Sequence, residues 1–198
     1  VTPVKAPVYG LVLAGGESRR MGRDKALLQH DTQSQLAWLV GLLEDHVERV
    51  FVSTRASQRD DPERRRFRQI IDKYEQMGPL AGILSAQEEY PDADWIVVAC
   101  DLPNVDAATI AYLLEHRSTE HPFSAFISSH DGLPEPLCAC YRAGSIGVLR
   151  EFAAQGIHCP RKILIRSDTH LLKQPHPHAL DNVNTPDDLA NSILEVGK

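Results

Sequence analysis

The residues best equipped for chemistry lie in one short stretch, Leu13-Ala14-Gly15-Gly16-Glu17-Ser18-Arg19-Arg20-Met21-Gly22-Arg23-Asp24-Lys25, directly after an apolar run at 8–12. Glycines admit backbone conformations closed to other residues and let main-chain N–H groups approach an anion. Arg19, Arg20, Arg23 and Lys25 concentrate positive charge there, against Glu17 and Asp24, in a chain whose net charge is -6. A glycine turn followed by clustered cations suits the phosphates of a nucleoside triphosphate. The stretch is not a Walker loop: Lys25 lacks the required spacing from a preceding glycine, and no Ser or Thr follows it. Nor is it a dinucleotide fingerprint.

A second candidate is Asp101, in Cys100-Asp101-Leu102-Pro103, which closes the apolar run at 95–99. A carboxylate at the end of a buried strand, held by a following proline, suits a Mg²⁺ ligand beside a triphosphate. It stands too far from the helix expected near Asp106 to cap it. The cysteines do not compete for a role. Cys100, Cys138, Cys140 and Cys159 form no Cys-x-x-Cys pair, and Cys138 and Cys140 fall on an alternating run that puts both on one face of a strand as small buried thiols. His176-Pro177-His178 has no third ligand nearby, so no zinc is expected.

These groups need a scaffold, and the chain alternates strand-like and helical segments in the manner of a parallel sheet covered on both faces. Strands are expected at 8–13, 49–54, 69–72, 95–100, 124–128, 137–141 and 169–173. Helical spacing marks Leu36, Leu39, Val40, Leu42 and Leu43, then Leu80, Ile83, Leu84 and Gln87 after the Gly78-Pro79 punctuation. Further helices are expected at 106–116 and 145–154. A last one starts at Thr185 as N-cap, with Pro186, Asp187 and Asp188 in its first turn. In such sheets ligands sit at the carboxyl ends of strands, where both the glycine stretch and Asp101 fall.

At 198 residues the chain suits one well-buried domain. No stretch approaches the ~20 apolar residues of a membrane span, and a cytoplasmic protein is expected. Net acidity with scattered cations argues against a nucleic-acid partner. The one other basic cluster, Arg64-Arg65-Arg66 with Arg68, sits among Asp60, Asp61 and Glu63 and reads as a solvated loop or helix. Residues 1–7, with two prolines and no initiator Met, read as a linker or processed end, consistent with a chain cut from a longer polypeptide.

The Leu-Ala-Gly-Gly, Arg-Met-Gly and Asp-Lys elements at 13–25 resemble the signature of the molybdenum cofactor guanylyltransferase family, within the nucleotidyltransferase superfamily. Gly78-Pro79-Leu80-Ala81-Gly82, Cys100-Asp101-Leu102-Pro103, Pro134-Glu135-Pro136-Leu137-Cys138-Ala139 and Asn182-Val183-Asn184-Thr185-Pro186 look like further landmarks, in family order. The resemblance implies a single-domain Rossmann-like α/β three-layer sandwich over 8–198, with a mostly parallel sheet. Its N-terminal half would bind the nucleotide and its C-terminal half the acceptor.

Carried over by position, it implies that Leu13, Ala14, Gly15 and Gly16 face guanine and phosphates, and that Lys25 and Arg20 neutralise the triphosphate. Asp72 would contact the nucleoside beside Gly78, and Asp101 would bind Mg²⁺. Ser53 stands where the family commonly has an asparagine near the base. Asp31-Thr32-Gln33-Ser34 replaces a family turn. Pro134, Glu135, Asn182 and Asn184 are implied to border the acceptor, molybdopterin, although both asparagines could equally satisfy loop backbone groups. Arg161 and Lys162 could steady an anionic substrate or be surface charges.

The reading that follows is Mg²⁺-dependent GMP transfer from GTP to the terminal phosphate of molybdenum-bound molybdopterin. The insertion machinery and recipient molybdoenzymes would lie downstream. The alternatives are a related cytidylyl or sugar- or alditol-phosphate nucleotidyltransferase, and a non-catalytic nucleotide- or pterin-binding carrier module.

Overall fold

The computed structural model describes residues 5–16 and 22–196. Strand β1 (Val8–Leu13) leads into the glycine stretch, and a short hairpin follows, β2 (Gln29–His30) and β3 (Gln33–Ser34). Then come α1 (Gln35–Glu44), β4 (Arg49–Thr54), β5 (Gln69–Ile71), α2 (Pro79–Glu89), β6 (Asp94–Ala99) and α3 (Ala107–His116). The remainder comprises β7 (Phe123–Ile127), β8 (Pro134–Tyr141), α4 (Ile146–Ala154), α5 (Pro160–Arg166), β9 (Thr169–Leu172), α6 (Pro186–Ala190) and β10 (Leu194–Glu195).

Seven strands form the main sheet in the order β5-β4-β1-β6-β8-β7-β9, and β10-β2-β3 form a small second sheet. The alternation of strand residues explains the three layers. Val12, Val52, Ile96, Val98, Cys138 and Cys140 face α1 and α3 through Leu36, Leu39, Leu43, Ile110 and Leu113. Their neighbours Leu11, Phe51, Trp95, Val97, Ala139 and Tyr141 face α2, α4 and α5 through Leu80, Ile83, Leu149 and Ile163. Both cysteines therefore lie on one buried face, as the alternation requires.

The sheet is parallel except at β8, which runs against both β6 and β7. The turn at 128–133 between β7 and β8 is too short for the helical crossover that a parallel pairing needs. Strand β1 has β4 on one side and β6 on the other, both parallel to it. The chain winds outward from β1 in one direction and then returns to its other side, so a crevice opens past the carboxyl ends of β1 and β6. The glycine stretch and Asp101 both leave the sheet there.

Caps agree with the side chains available. The Asp106 carboxylate accepts from Thr109 N at 2.8 Å at the start of α3, and Thr185 Oγ1 accepts from Asp188 N at 3.1 Å at the start of α6. Among the described residues no helix is long and apolar enough to cross a membrane.

The basic cluster needs a correction. Arg65, Arg66 and Arg68 are exposed, but Arg64 is 1% exposed and fully engaged, so the solvated reading fails at that residue. Its guanidinium lies between carboxylates from two segments, which compensates the cost of removing it from water.

Candidate functional site

A cleft of about 1130 Å³ opens at the crevice beside β1 and β6, lined by Leu13, Ala14, Gly15, Gly16, Lys25, Ser53, Asp72, Gly78 and Asp101. The residues expected from sequence to meet the nucleotide are thus brought together, save Arg20, which lies outside the described residues. The volume is ample for a nucleotide, since small-molecule sites commonly span about 300–1,000 Å³.

One wall is built on Ser53 and Asp72. They sit at and just past the ends of the adjacent parallel strands β4 and β5. Ser53 Oγ donates to Asp72 Oδ1 at 2.8 Å, and Asp72 N donates to Thr54 O at 2.8 Å. Burial pushes the Asp72 carboxyl up to about 6, opposed by the Ser53 hydrogen bond and the positive charge of Arg55. Gly82, on the first turns of α2, makes room for this pair. A Cβ there would lie 2.3 Å from Ser53 Oγ and 2.9 Å from Leu13 Cδ2. Helix α2 itself starts after Gly78, whose φ of 57° and ψ of -139° lie where side-chain-bearing residues are strained.

The opposite wall carries Asp101 and Lys25. Asp101 as a residue is half-buried, yet its Oδ1 is shut off from solvent and meets no hydrogen-bond partner among the described residues. Burial raises its carboxyl above the ordinary range, and the nearby Lys25 charge works against that rise. Such an orphaned carboxylate oxygen is a hard donor suited to Mg²⁺, which is commonly held by one or two carboxylates together with substrate phosphates.

Lys25 is carried on a single 3₁₀ turn, Lys25–Leu27, capped by Asp24, whose Oδ1 accepts from Ala26 N at 3.1 Å. Its Nζ donates to Asn184 Oδ1 at 2.7 Å. The segment bearing Asn184 is pinned by Val183 N to Asp101 O at 2.8 Å, and by the Asp188 carboxylate, which accepts from Asn184 N and Thr185 N.

Pro134, Glu135, Asn182 and Asn184 do not line the cleft itself. Asn184 reaches it through Lys25, so the residues expected at the acceptor and those expected at the triphosphate share a partner. Asn182 is exposed. Glu135 forms an ion pair with Arg161 at 3.4 Å, and Arg161 also meets Asp131 at 3.1 Å, while Lys162 is exposed. The replacement turn at 31–34 is the β2–β3 hairpin, away from the cleft lining.

Cys138, Cys140, His176 and His178 are committed elsewhere. Burial pushes the thiols of Cys138 and Cys140 up to about 12, which makes them poor nucleophiles. His176 Nδ1 meets Asp106 Oδ2 at 2.6 Å, and His178 Nδ1 meets Asp181 Oδ2 at 3.0 Å. Sequence reasoning passed over Arg64, whose Nε and Nη2 both donate to the carbonyl of Ala14, at 3.2 and 2.5 Å. Its guanidinium also pairs with Asp24 and Asp61. The available signal was a basic run directly after the acidic residues Asp60, Asp61 and Glu63.

Comparison with known proteins follows the same lines. Residues 10–171 match the model of the MobA-like NTP transferase domain. The chain is 34% identical over 184 residues to a molybdenum cofactor biosynthesis bifunctional protein of Synechocystis, covering 93% of this chain and 53% of that one. It is 36% identical over 136 residues to a probable molybdenum cofactor guanylyltransferase of Bacillus mycoides, covering 67% and 66%. The chain thus spans about half the length of the first of these relatives and just under two thirds of the second. The crystal structure of molybdopterin-guanine dinucleotide biosynthesis protein A from Archaeoglobus fulgidus superposes with a TM-score of 0.77 at 24% identity, over 92% of this chain and 95% of that one. The α/β three-layer fold is therefore shared.

Proposed function

The chain belongs to the MobA-like NTP transferase family, and on that premise we propose that it transfers GMP from GTP to the terminal phosphate of molybdenum-bound molybdopterin. The products are molybdopterin guanine dinucleotide and pyrophosphate. The observation that carries this reading is the meeting, in one cleft, of the glycine turn, Lys25 and a buried carboxylate oxygen of Asp101 without a partner among the described residues. The names of the curated relatives support the choice of substrates.

An acceptor phosphate at neutral pH is already an anionic nucleophile, so no side-chain base is needed. One of its oxygens forms a bond to the α-phosphorus as the bond from that phosphorus to the bridging oxygen of pyrophosphate breaks. What remains for the protein is alignment and charge compensation. Main-chain N–H groups at Gly15 and Gly16, together with Lys25, offset charge on the phosphates, and Arg20 is assigned the same role. Asp72 and Ser53 address the nucleoside. Asp101 would hold Mg²⁺, which when bound supplies charge neutralisation across the phosphates. Asn184, through its bond to Lys25, stands between triphosphate and acceptor, with Pro134, Glu135 and Asn182 on the acceptor side. Residues 8–198 act as one unit in this reading.

A second reading, a different nucleobase, is favoured by one observation: Ser53, which stands where the family commonly has an asparagine, spends its proton on Asp72. Pyrophosphate release with each of the four nucleoside triphosphates, with and without molybdopterin, tests both. Release with GTP that requires molybdopterin is expected. Preference for CTP would move the chain to a cytidylyl activity, and tight binding without release would make it a carrier.

A further inference from the structure

We propose that Arg64 is a positioning residue for the nucleotide: a buried clamp that fixes both ends of the glycine stretch and thereby aims its main-chain donors and Lys25. Its partners lie on either side of that stretch. Toward the start, Nε and Nη2 both donate to the Ala14 carbonyl. Toward the end, Nη1 and Nη2 hold the two oxygens of Asp24, at 2.8 and 3.0 Å. Asp61, on the same short turn as Arg64, fills a remaining donor at 3.2 Å.

Each contact has a directional consequence. In a trans peptide the C=O and N–H point opposite ways, so drawing the Ala14 carbonyl toward Arg64 fixes the Gly15 N–H in the opposite direction, at a residue that lines the cleft. Holding Asp24 keeps its Oδ1 on Ala26 N, which caps the turn that carries Lys25. At 1% exposure the guanidinium does not touch the nucleotide, and Asp24 and Asp61 already neutralise its charge. What it contributes is geometry. A planar fork of five donors can span a carbonyl and two carboxylates, whereas an ammonium on a flexible stem cannot.

The inference rests on the cleft being a nucleotide site, and calorimetry separates the two. Titration of GTP into the unaltered protein comes first; absence of binding there refutes the nucleotide reading and leaves nothing for the clamp to position. With binding established, Arg64→Lys keeps the charge and removes the fork. The expected result is GTP binding weakened about tenfold or more, with KM for molybdopterin within about threefold and an unchanged far-UV circular dichroism spectrum. Affinity restored by Lys overturns the proposal, as does an equal loss for both substrates, which marks a merely structural arginine. Should Arg64→Lys fail to fold, Asp24→Asn decides: its side chain is partly exposed, and the amide oxygen can still cap Ala26. GTP affinity lowered at unchanged melting temperature upholds the clamp, and unaltered affinity removes it.

Discussion

Asp72 should make the protein less stable at neutral pH than it would be without the charge. Its carboxyl, ordinarily at 3.8, stands at about 6 in the folded chain, chiefly through burial. The folded state therefore holds this proton more tightly than the unfolded state. The corresponding stability is fully present below about pH 4, is lost as pH rises through about 6, and is absent above that. The difference corresponds to about 3 kcal/mol, an upper figure, because Asp72 is only half-buried on an open cleft, and screening there reduces it to the order of 1–2 kcal/mol.

Asp72→Asn keeps the shape, and its amide oxygen can still accept from Ser53. The variant should exceed the unaltered protein by about 1–2 kcal/mol near pH 7.5 and converge with it near pH 4. Urea unfolding across that range measures both. A constant gap at all pH values, or a variant that is less stable throughout, would refute the reasoning. The same variant should bind GTP more weakly, since the carboxylate retained despite this cost is the one proposed to meet the nucleoside.

Replacing Asp101 by Asn should leave the fold intact and remove Mg²⁺-supported pyrophosphate release, because a neutral amide is a poor ligand for that ion; near-normal turnover would exclude its role. Lys25→Ala should slow transfer by about two to three orders of magnitude, as when a charge-stabilising donor is lost elsewhere, and steady-state kinetics showing an unchanged rate and GTP affinity would make Lys25 a surface charge. Gly82→Ala places a methyl 2.3 Å from Ser53 Oγ, so the Ser53–Asp72 bond must yield. About 1–3 kcal/mol of stability and much of the GTP affinity should go with it, and thermal melts and KM values equal to those of the parent would contradict the close packing.

What the sequence disclosed follows from how locally each feature is encoded. The strands at 8–13 and 49–54 were readable to the residue because a buried parallel strand is a continuous apolar run between polar ends. The cap at Thr185 was equally local. Helix α5 escaped notice because Ile163, Leu164 and Ile165 look like a strand fragment, and only Pro160 at its first turn hinted otherwise. The two-residue strands β2, β3 and β10 are too short to carry any period.

In the site, the glycine stretch, Lys25, Asp72 and Asp101 stood out by residue type and by the ends of strands. Arg64 did not, since it shares its composition with its exposed neighbours and differs only in what the fold brings against it, Ala14 and Asp24. The link between Lys25 and Asn184 was invisible for the same reason.

That last link has a bearing on synthesis. Strand β10 pairs with β2, Leu194 opposite His30, and Asn184 closes on Lys25 across nearly the full length of the chain. A polypeptide leaves the ribosome from its N-terminus at roughly 5–20 residues per second. The glycine turn and the strands flanking it are therefore made well before the segment that completes Lys25's surroundings. Until that segment is made, the side of the cleft that carries the glycine turn and Lys25 lacks Asn184. The segment around Asn184 completes the surroundings of Lys25, so termination between β9 and Asn184 would leave the large sheet's strands all present and those surroundings unfinished.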